Sequence, residues 1–305
     1  MLLRILPSVM QEDVFALKGG TAINFFWRYY PRKSVDIDLT YLPIKDRDIS
    51  LLDINNRLAS LETRLQRIFP SASIQQKLES DTQSIVGLMV RDHEATVKVE
   101  ANYNLRGAIY APVKMKLSKR AEKEFELSMS VTTLSFEDLY GGKIVAALDR
   151  QHPRDLFDVK LLLENEGLTD GVRKAFIVYL ISHNRSLIEV LNPGLQDISR
   201  AFENEFKDMP TEPVTQIELE NARTELIKQI KESLTDDEIK FLLSWKNKKP
   251  EWQLLGIEDI ENIPGVRRRL MNLEKMEEKK HRKAVEKLEK YLMDYSCQII
   301  RIKTD

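Results

Sequence analysis

The sequence predicts an α+β protein: a mixed sheet flanked by helices over residues 1–167, followed by an all-helical domain over residues 168–305. Three observations carry this expectation. Strand-like and helix-like patterns alternate as far as about residue 165, and strand patterns then cease. Helical stripes separated by Pro193, Pro210, Pro213, Pro250 and Pro264 fill the remainder. The length of 305 residues suits about two domains, and a composition 42% hydrophobic and 31% charged supplies an ordinary core.

Each element follows from local pattern. Val14–Leu17 is short, apolar and followed by Gly19–Gly20, as a buried strand entering a turn would be. Thr21 can cap a helix running from Ala22 to about Tyr30, ahead of Pro31. In Val35–Leu42, alternation places Val35, Ile37 and Leu39 on one face of a strand and Asp36, Asp38 and Thr40 on the other. Residues 46–69 carry a helical stripe of Leu51, Leu58, Leu61, Leu65 and Ile68. Strands follow over Ser84–Val90, Thr96–Glu100 and residues 109–117, with Lys98 and Glu100 on a polar face. Ser135 and Asp138 form a capping box for a helix through about Asp149, and Pro153 opens another that stops at Gly167. Later stripes recur over 171–182, 195–206, 213–232, 235–246 and 264–294; the last carries Val266, Leu270, Leu273, Ala284, Leu288 and Leu292.

Composition excludes several classes. With 47 basic and 48 acidic side chains the net charge is −1, so any nucleic-acid contact must come from a local patch. The single cysteine, Cys297, allows no internal disulfide and no Cys-based zinc site, and His93, His152, His183 and His281 lack ligand spacing. Apolar runs such as Phe176–Ile181 fall far short of the roughly 20 residues that span a bilayer. Pro7 interrupts the N-terminal apolar run, against a signal peptide. The expectation is a soluble, cytoplasmic protein without membrane association.

The chemistry concentrates in the first half. Asp36 and Asp38, one residue apart on a strand, project from the same face, and carboxylates this close repel unless a cation lies between them. Mg²⁺ takes carboxylate and phosphate oxygens together. A D-x-D pattern alone equally describes a solvated strand face, and Gly19-Gly20-Thr21 alone equally describes a tight turn. Together, strand, glycine turn, helix start and S-x-D-x-D suggest a phosphate pocket beside a metal site, with Lys18 and Ser34 adding a cation and a hydroxyl. Glu100 supplies a third strand-borne acid, as two-metal nucleotidyl transfer requires.

These residues resemble the nucleotidyltransferase superfamily that includes DNA polymerase β and kanamycin nucleotidyltransferase. The fuller pattern, LKGGTAINFF (17–26), SVDIDLTY (34–41), KVEAN (98–102) and LYGGKIVAALDRQHPRDLFDVKLL (139–162), resembles the AbiEii family of type IV toxin nucleotidyltransferases, relatives of the MenT toxins. The resemblance implies a polymerase β-like N-terminal domain, Mg²⁺, an NTP substrate and a separately encoded antitoxin. It also implies catalytic roles for Asp36, Asp38, Lys143 and Asp158, metal binding by Asp36, Asp38 and Glu100, and nucleotide binding by Lys18, Gly19, Gly20, Thr21, Ser34 and Lys143. Lys143 would contact triphosphate and Asp158 would support the site. From the residues alone, Lys143 could equally snorkel from a helix rich in small residues, and Arg154–Asp155 could be a surface pair.

The resemblance also implies an RNA acceptor, the 3′ end of tRNA, with growth arrest as the outcome. Residues 265–290 hold ten Lys and Arg against five Glu, Arg267–Arg269 lack interleaved acids, and Lys114, Lys116, Lys119 and Arg120 form a second basic cluster. A packed helix with a solvated face has the same composition. Two alternatives remain: a transferase for a small polycation such as an aminoglycoside, and a non-catalytic nucleotide-binding regulator.

Overall fold

Alternating burial in the central strands builds the sheet. In β2 (Asp36–Tyr41), Ile37, Leu39 and Tyr41 are buried while Asp36 and Asp38 are half-exposed. The structure, a computed structural model, describes residues 1–93 and 95–302, with side chains described through Met293; Cys297 lies outside the described side chains. It divides into two compact units, Met1–Leu139 with Glu203–Val214, and Tyr140–Phe202 with Thr215–Asp305. The division falls earlier than the expected 167/168 boundary, within a helix, and residues 203–214 return to the first unit.

The first unit opens with α1 (Leu2–Val9), whose Leu2, Leu3, Ile5, Leu6 and Val9 are all buried, and continues through β1 (Phe15–Lys18), α2 (Gly19–Ala22) and β2. The helix expected over 22–30 is a single α-turn passing into a π-turn, Ile23–Trp27, after which Arg28 is extended and Tyr30 is left-handed. Next come α3 (Arg47–Ile68), β3 (Ser73–Leu78), β4 (Ile85–Arg91), β5 (Thr96–Asn102), β6 (Val113–Lys116), α4 (Lys119–Phe125) and β7 (Ser130–Thr133). Two expected apolar positions face outward: Val35 lies outside β2 and is 45% exposed, and Ile68 at the end of α3 is 53% exposed.

The seven strands form one mixed sheet in the order β3-β4-β5-β2-β1-β7-β6. The pairs β2–β5 and β1–β7 are parallel and the others antiparallel. α3 packs on β4 and α1 on α3. The face they cover buries Ile37, Leu39, Leu88, Val90, Val97 and Val99, each contributing about 1.5–3 kcal/mol by leaving water. The opposite face carries Asp36, Asp38, Lys98 and Glu100. The chain entering β2 is clamped by the returning segment. Lys33 N donates to Met209 O at 2.9 Å, Thr211 N donates to Pro31 O at 2.8 Å, and Arg32 forms an antiparallel bridge with Pro210.

α5 (Phe136–Arg150) starts in the first unit. The Asp138 N–H donates to Ser135 Oγ at 3.1 Å and the Ser135 hydroxyl donates to the Asp138 carboxylate at 3.2 Å, which also accepts the backbone N–H groups of Ile109 and Tyr110. The second unit holds α6 (Pro153–Asn165), α7 (Asp170–Ser182), α8 (Leu187–Leu191), α10 (Gln216–Ser233), α11 (Asp236–Lys246), α12 (Pro264–Glu274) and α13 (Glu278–Ile302), while α9 (Ser199–Glu205) crosses the division. The stripe expected over 264–294 is thus two helices. Capping boxes at Thr215/Glu218 and Thr235/Glu238 start α10 and α11. Buried Glu238 also receives Arg173 Nε of α7 at 2.8 Å. No helix among the described residues is long and apolar enough to cross a membrane.

Candidate active site

The turn after β1 requires its glycines. Gly19 has φ +68°, and a Cβ there would fall 2.5 Å from Asp38 Oδ2. A Cβ on Gly20 would fall 2.7 Å from Arg32 Nη2 and 3.3 Å from Ser34 Oγ. The glycines therefore mark where a carboxylate, a guanidinium and a hydroxyl close upon one stretch of backbone. Thr21 does not cap a helix here. It is buried, and its hydroxyl lies 2.9 Å from Ser34 Oγ and 2.5 Å from the Asp36 carbonyl oxygen, tying the turn to β2. Asn24 Nδ2 donates to Gly20 O at 2.8 Å and holds the turn from behind.

Strand register places the charged residues in rows. Lys18 pairs with Asp38, Asp38 with Glu100, Glu100 with Gly87, and Gly87 with Lys77, across five strands. One step along, Asp36 pairs with Lys98. Gly87 leaves a gap in the first row, since a Cβ there would approach Val99 O to 2.8 Å and Glu100 Cγ to 3.3 Å. Lys77 ion-pairs with Glu100, and Lys98 Nζ meets the other Glu100 oxygen at 2.6 Å. Burial pushes the Glu100 carboxyl up, but hydrogen bonds and charge from Lys77 and Lys98 outweigh it and hold it below the usual range. The hydrogen bond to Glu100 raises Lys98 despite burial, and the nearby Asp36 and Asp38 charges act the same way. Lys18, Asp38, Lys77, Glu100, Asn102 and Tyr103 line a cleft of about 180 Å³.

Asp36 and Asp38 share the open face, with Lys98 as counter-charge, whereas both Glu100 oxygens are engaged by lysines. Among the described residues no three His, Cys, Asp or Glu side chains form a metal-holding group.

In the second unit, Lys143 is 6% exposed, and its ammonium lies 2.9 Å from Asp155 Oδ1 and 2.9 Å from Asp158 Oδ2. It does not snorkel. Asp155 is no surface pair with Arg154: it is buried and also accepts Arg150 Nε at 2.5 Å. Burial pushes the Asp155 carboxyl up, but Lys143 and Arg150 hold it well below the usual carboxylate range. Beside this site α5 packs closely on α7, since a Cβ on Gly141 of α5 would come within 2.7 Å of Ala175 on α7.

The sequence reading missed Arg32, Lys77, Gly87 and the first rank of Asp155. Arg32 and Lys77 are ordinary surface residues by pattern, and only strand pairing reveals why Gly87 must be small. Asp155 carried a signal, being three residues from Asp158 on one helix face.

A mixed sheet with two aspartates on its open face, set against a glycine turn, is the arrangement of a nucleotidyltransferase. The family model described as nucleotidyl transferase AbiEii toxin of type IV toxin–antitoxin systems matches residues 1–254, and the chain belongs to that family. It is accordingly a toxin-class nucleotidyltransferase with an NTP substrate and a separate antitoxin. Among solved structures it shares its fold with MenT4, nucleotidyltransferase toxin Rv2826c from Mycobacterium tuberculosis H37Rv. The identity is 14% and the TM-score 0.57, over 89% of this chain and 92% of that one. No significant match is found among curated protein sequences.

Proposed function

We propose that this enzyme transfers NMP from an NTP to a hydroxyl of RNA, the 3′ end of tRNA, in the cytoplasm, and thereby arrests growth. The observation that carries the reading is Asp38 packed against the Gly19 turn with Asp36 beside it on the same open face. Asp36 and Asp38 have the hard oxygen donors that Mg²⁺ takes, and they would hold it; Glu100, engaged by Lys77 and Lys98, does not fit as a third ligand in this arrangement. When bound, Mg²⁺ neutralises triphosphate charge and lowers the pKa of the attacking hydroxyl. The chain's own groups orient the substrate. The Gly19–Gly20 backbone admits phosphate closely, and Lys18, Arg32 and Ser34 surround it with a cation, a guanidinium and a hydroxyl. Lys143 keeps in this proposal the nucleotide role that the family resemblance implies; within its own unit its ammonium is held by Asp155 and Asp158.

The test incubates total RNA with each labelled NTP, Mg²⁺ and the protein. The expected result is label on a tRNA-sized band, lost in Asp36→Ala with an unchanged circular-dichroism melt. A folded Asp36→Ala protein with full activity overturns the site assignment. Label appearing only on an aminoglycoside or another small hydroxyl compound overturns the RNA acceptor.

A further inference from the structure

We infer that Lys246, Arg269 and Arg185 form a phosphate-binding site for the backbone of the RNA acceptor, an assignment that rests on the RNA reading above. Lys246 is the last residue of α11 and only 6% exposed, and among the described residues no carboxylate pairs with its ammonium. Burial first, and then the charge of Arg269, hold Lys246 below the usual lysine range. Burial and Arg268 likewise lower Arg269. Arg269 Nη2 donates to Arg185 O at 3.2 Å, and Arg268 Nη2 to Asn184 Oδ1 at 3.2 Å. Arg269 Nε is buried without a hydrogen-bond partner among the described residues. The acid recorded in this cluster, Asp149, is engaged by Arg185 Nε at 2.6 Å and by His183 Nε2 at 3.5 Å. Burial lowers His183, and Arg185 and Arg269 add to this against the pull of Asp149, so the imidazole contributes no extra positive charge near neutral pH.

Lys246 and Arg269 thus press on each other, and the acid recorded beside them, Asp149, is already engaged by Arg185. Like charges held this way call for an anion between them, as Asp36 and Asp38 call for a cation. Arg185, with half its side chain exposed, opens the cluster to solvent. The ends of α7 and α11 attract cations, but a helix terminus offers only roughly half an elementary charge. The second basic cluster has a different explanation. Lys114 and Lys116 lie on the edge strand β6, where exposed lysines discourage pairing with other chains, and Lys119 is paired with Glu122. The ligand is a phosphodiester chain because the cations come from three separate segments and span more than one contact point.

The test uses the full-length protein, unfractionated tRNA and a salt titration of affinity, with Arg185→Gln and Lys246→Met beside wild type. Each substitution should lower the slope of log affinity against log salt by about 1 and weaken tRNA binding about tenfold near physiological salt. NTP affinity should not change. Lys246→Met should hold or raise the melting temperature, since it removes a buried cation with no counter-charge. Wild-type salt slopes in both variants, or a fallen melting temperature in Lys246→Met with unchanged tRNA affinity, would mean that these cations only serve helix ends, and would overturn the site. If Lys246→Met fails to fold, Arg185→Gln decides. If wild type itself shows no salt-dependent tRNA affinity, the RNA acceptor reading fails, and this site with it.

Discussion

Replacing Lys143 by Met removes the cation shared by Asp155 and Asp158, which are 2% and 0% exposed. Breaking a buried pair by deleting one partner costs about 3–5 kcal/mol, because the remaining charge stays buried and uncompensated. Arg150 still reaches Asp155, so the larger burden falls on Asp158. In the triphosphate role proposed for Lys143, its loss also costs a few kcal/mol of transition-state stabilisation, so activity and stability should fall together. The assay pairs denaturant unfolding with transfer of labelled NMP. Adding Asp158→Asn to Lys143→Met should recover part of the stability and none of the activity, a coupling that a double-mutant cycle reads directly. The pH dependence adds a second check. In wild type the folded pKa of Asp155 is depressed, so its contribution is fully present above an unfolded value of about 3.9 and is lost as pH falls through the folded pKa. In the variant, burial without Lys143 pushes the Asp155 carboxyl up relative to wild type, and the uncompensated buried charge costs more as pH rises above that value. The stability gap should therefore narrow from pH 8 to pH 5. A Lys143→Met protein within 1 kcal/mol of wild type at pH 8 would refute the charge-balance argument.

Two further outcomes follow from the first unit. Gly19→Ala forces a side chain into a left-handed backbone and against Asp38 Oδ2, and should cost about 1–3 kcal/mol of stability while sharply reducing NMP transfer; wild-type turnover would show that Asp38 need not lie against the turn. Glu100→Gln should disturb Lys77 and Lys98, at about 0–1 kcal/mol for partly exposed pairs, and leave the Mg²⁺ concentration for half-maximal activity unchanged; a marked rise would return Glu100 to the metal ligands.

Much of the site was legible because its residues are adjacent in the chain. Gly19–Thr21 and Ser34–Asp38 are local motifs, and period-2 alternation alone put Asp36 and Asp38 on one face. What escaped depended on pairing between distant segments. The strand Ser73–Leu78 is almost wholly exposed, so it lacks the apolar alternation that announces a strand, and with it went the partner of Glu100. The four-residue strand Ser130–Thr133 is too short to show a period. The π-turn after Ala22 reads as ordinary helix, since Ala22, Phe25 and Phe26 are apolar at helical spacing. The unit division was hidden for a related reason: an uninterrupted helix crosses it, so composition does not change there.

The clamp on the chain entering β2 has a consequence for biosynthesis. Thr211 binds the Pro31 carbonyl across 180 residues of sequence, and Lys33 binds Met209. The segment that carries Arg32 and Ser34 towards Asp36 therefore gains its last support only after residue 211 has left the ribosome. Chains that stall or are cleaved before residue 203 possess every motif residue of the glycine turn and the aspartate strand, yet lack the strap that seats them. Complete synthesis thus becomes a condition of full assembly of this toxin-class nucleotidyltransferase.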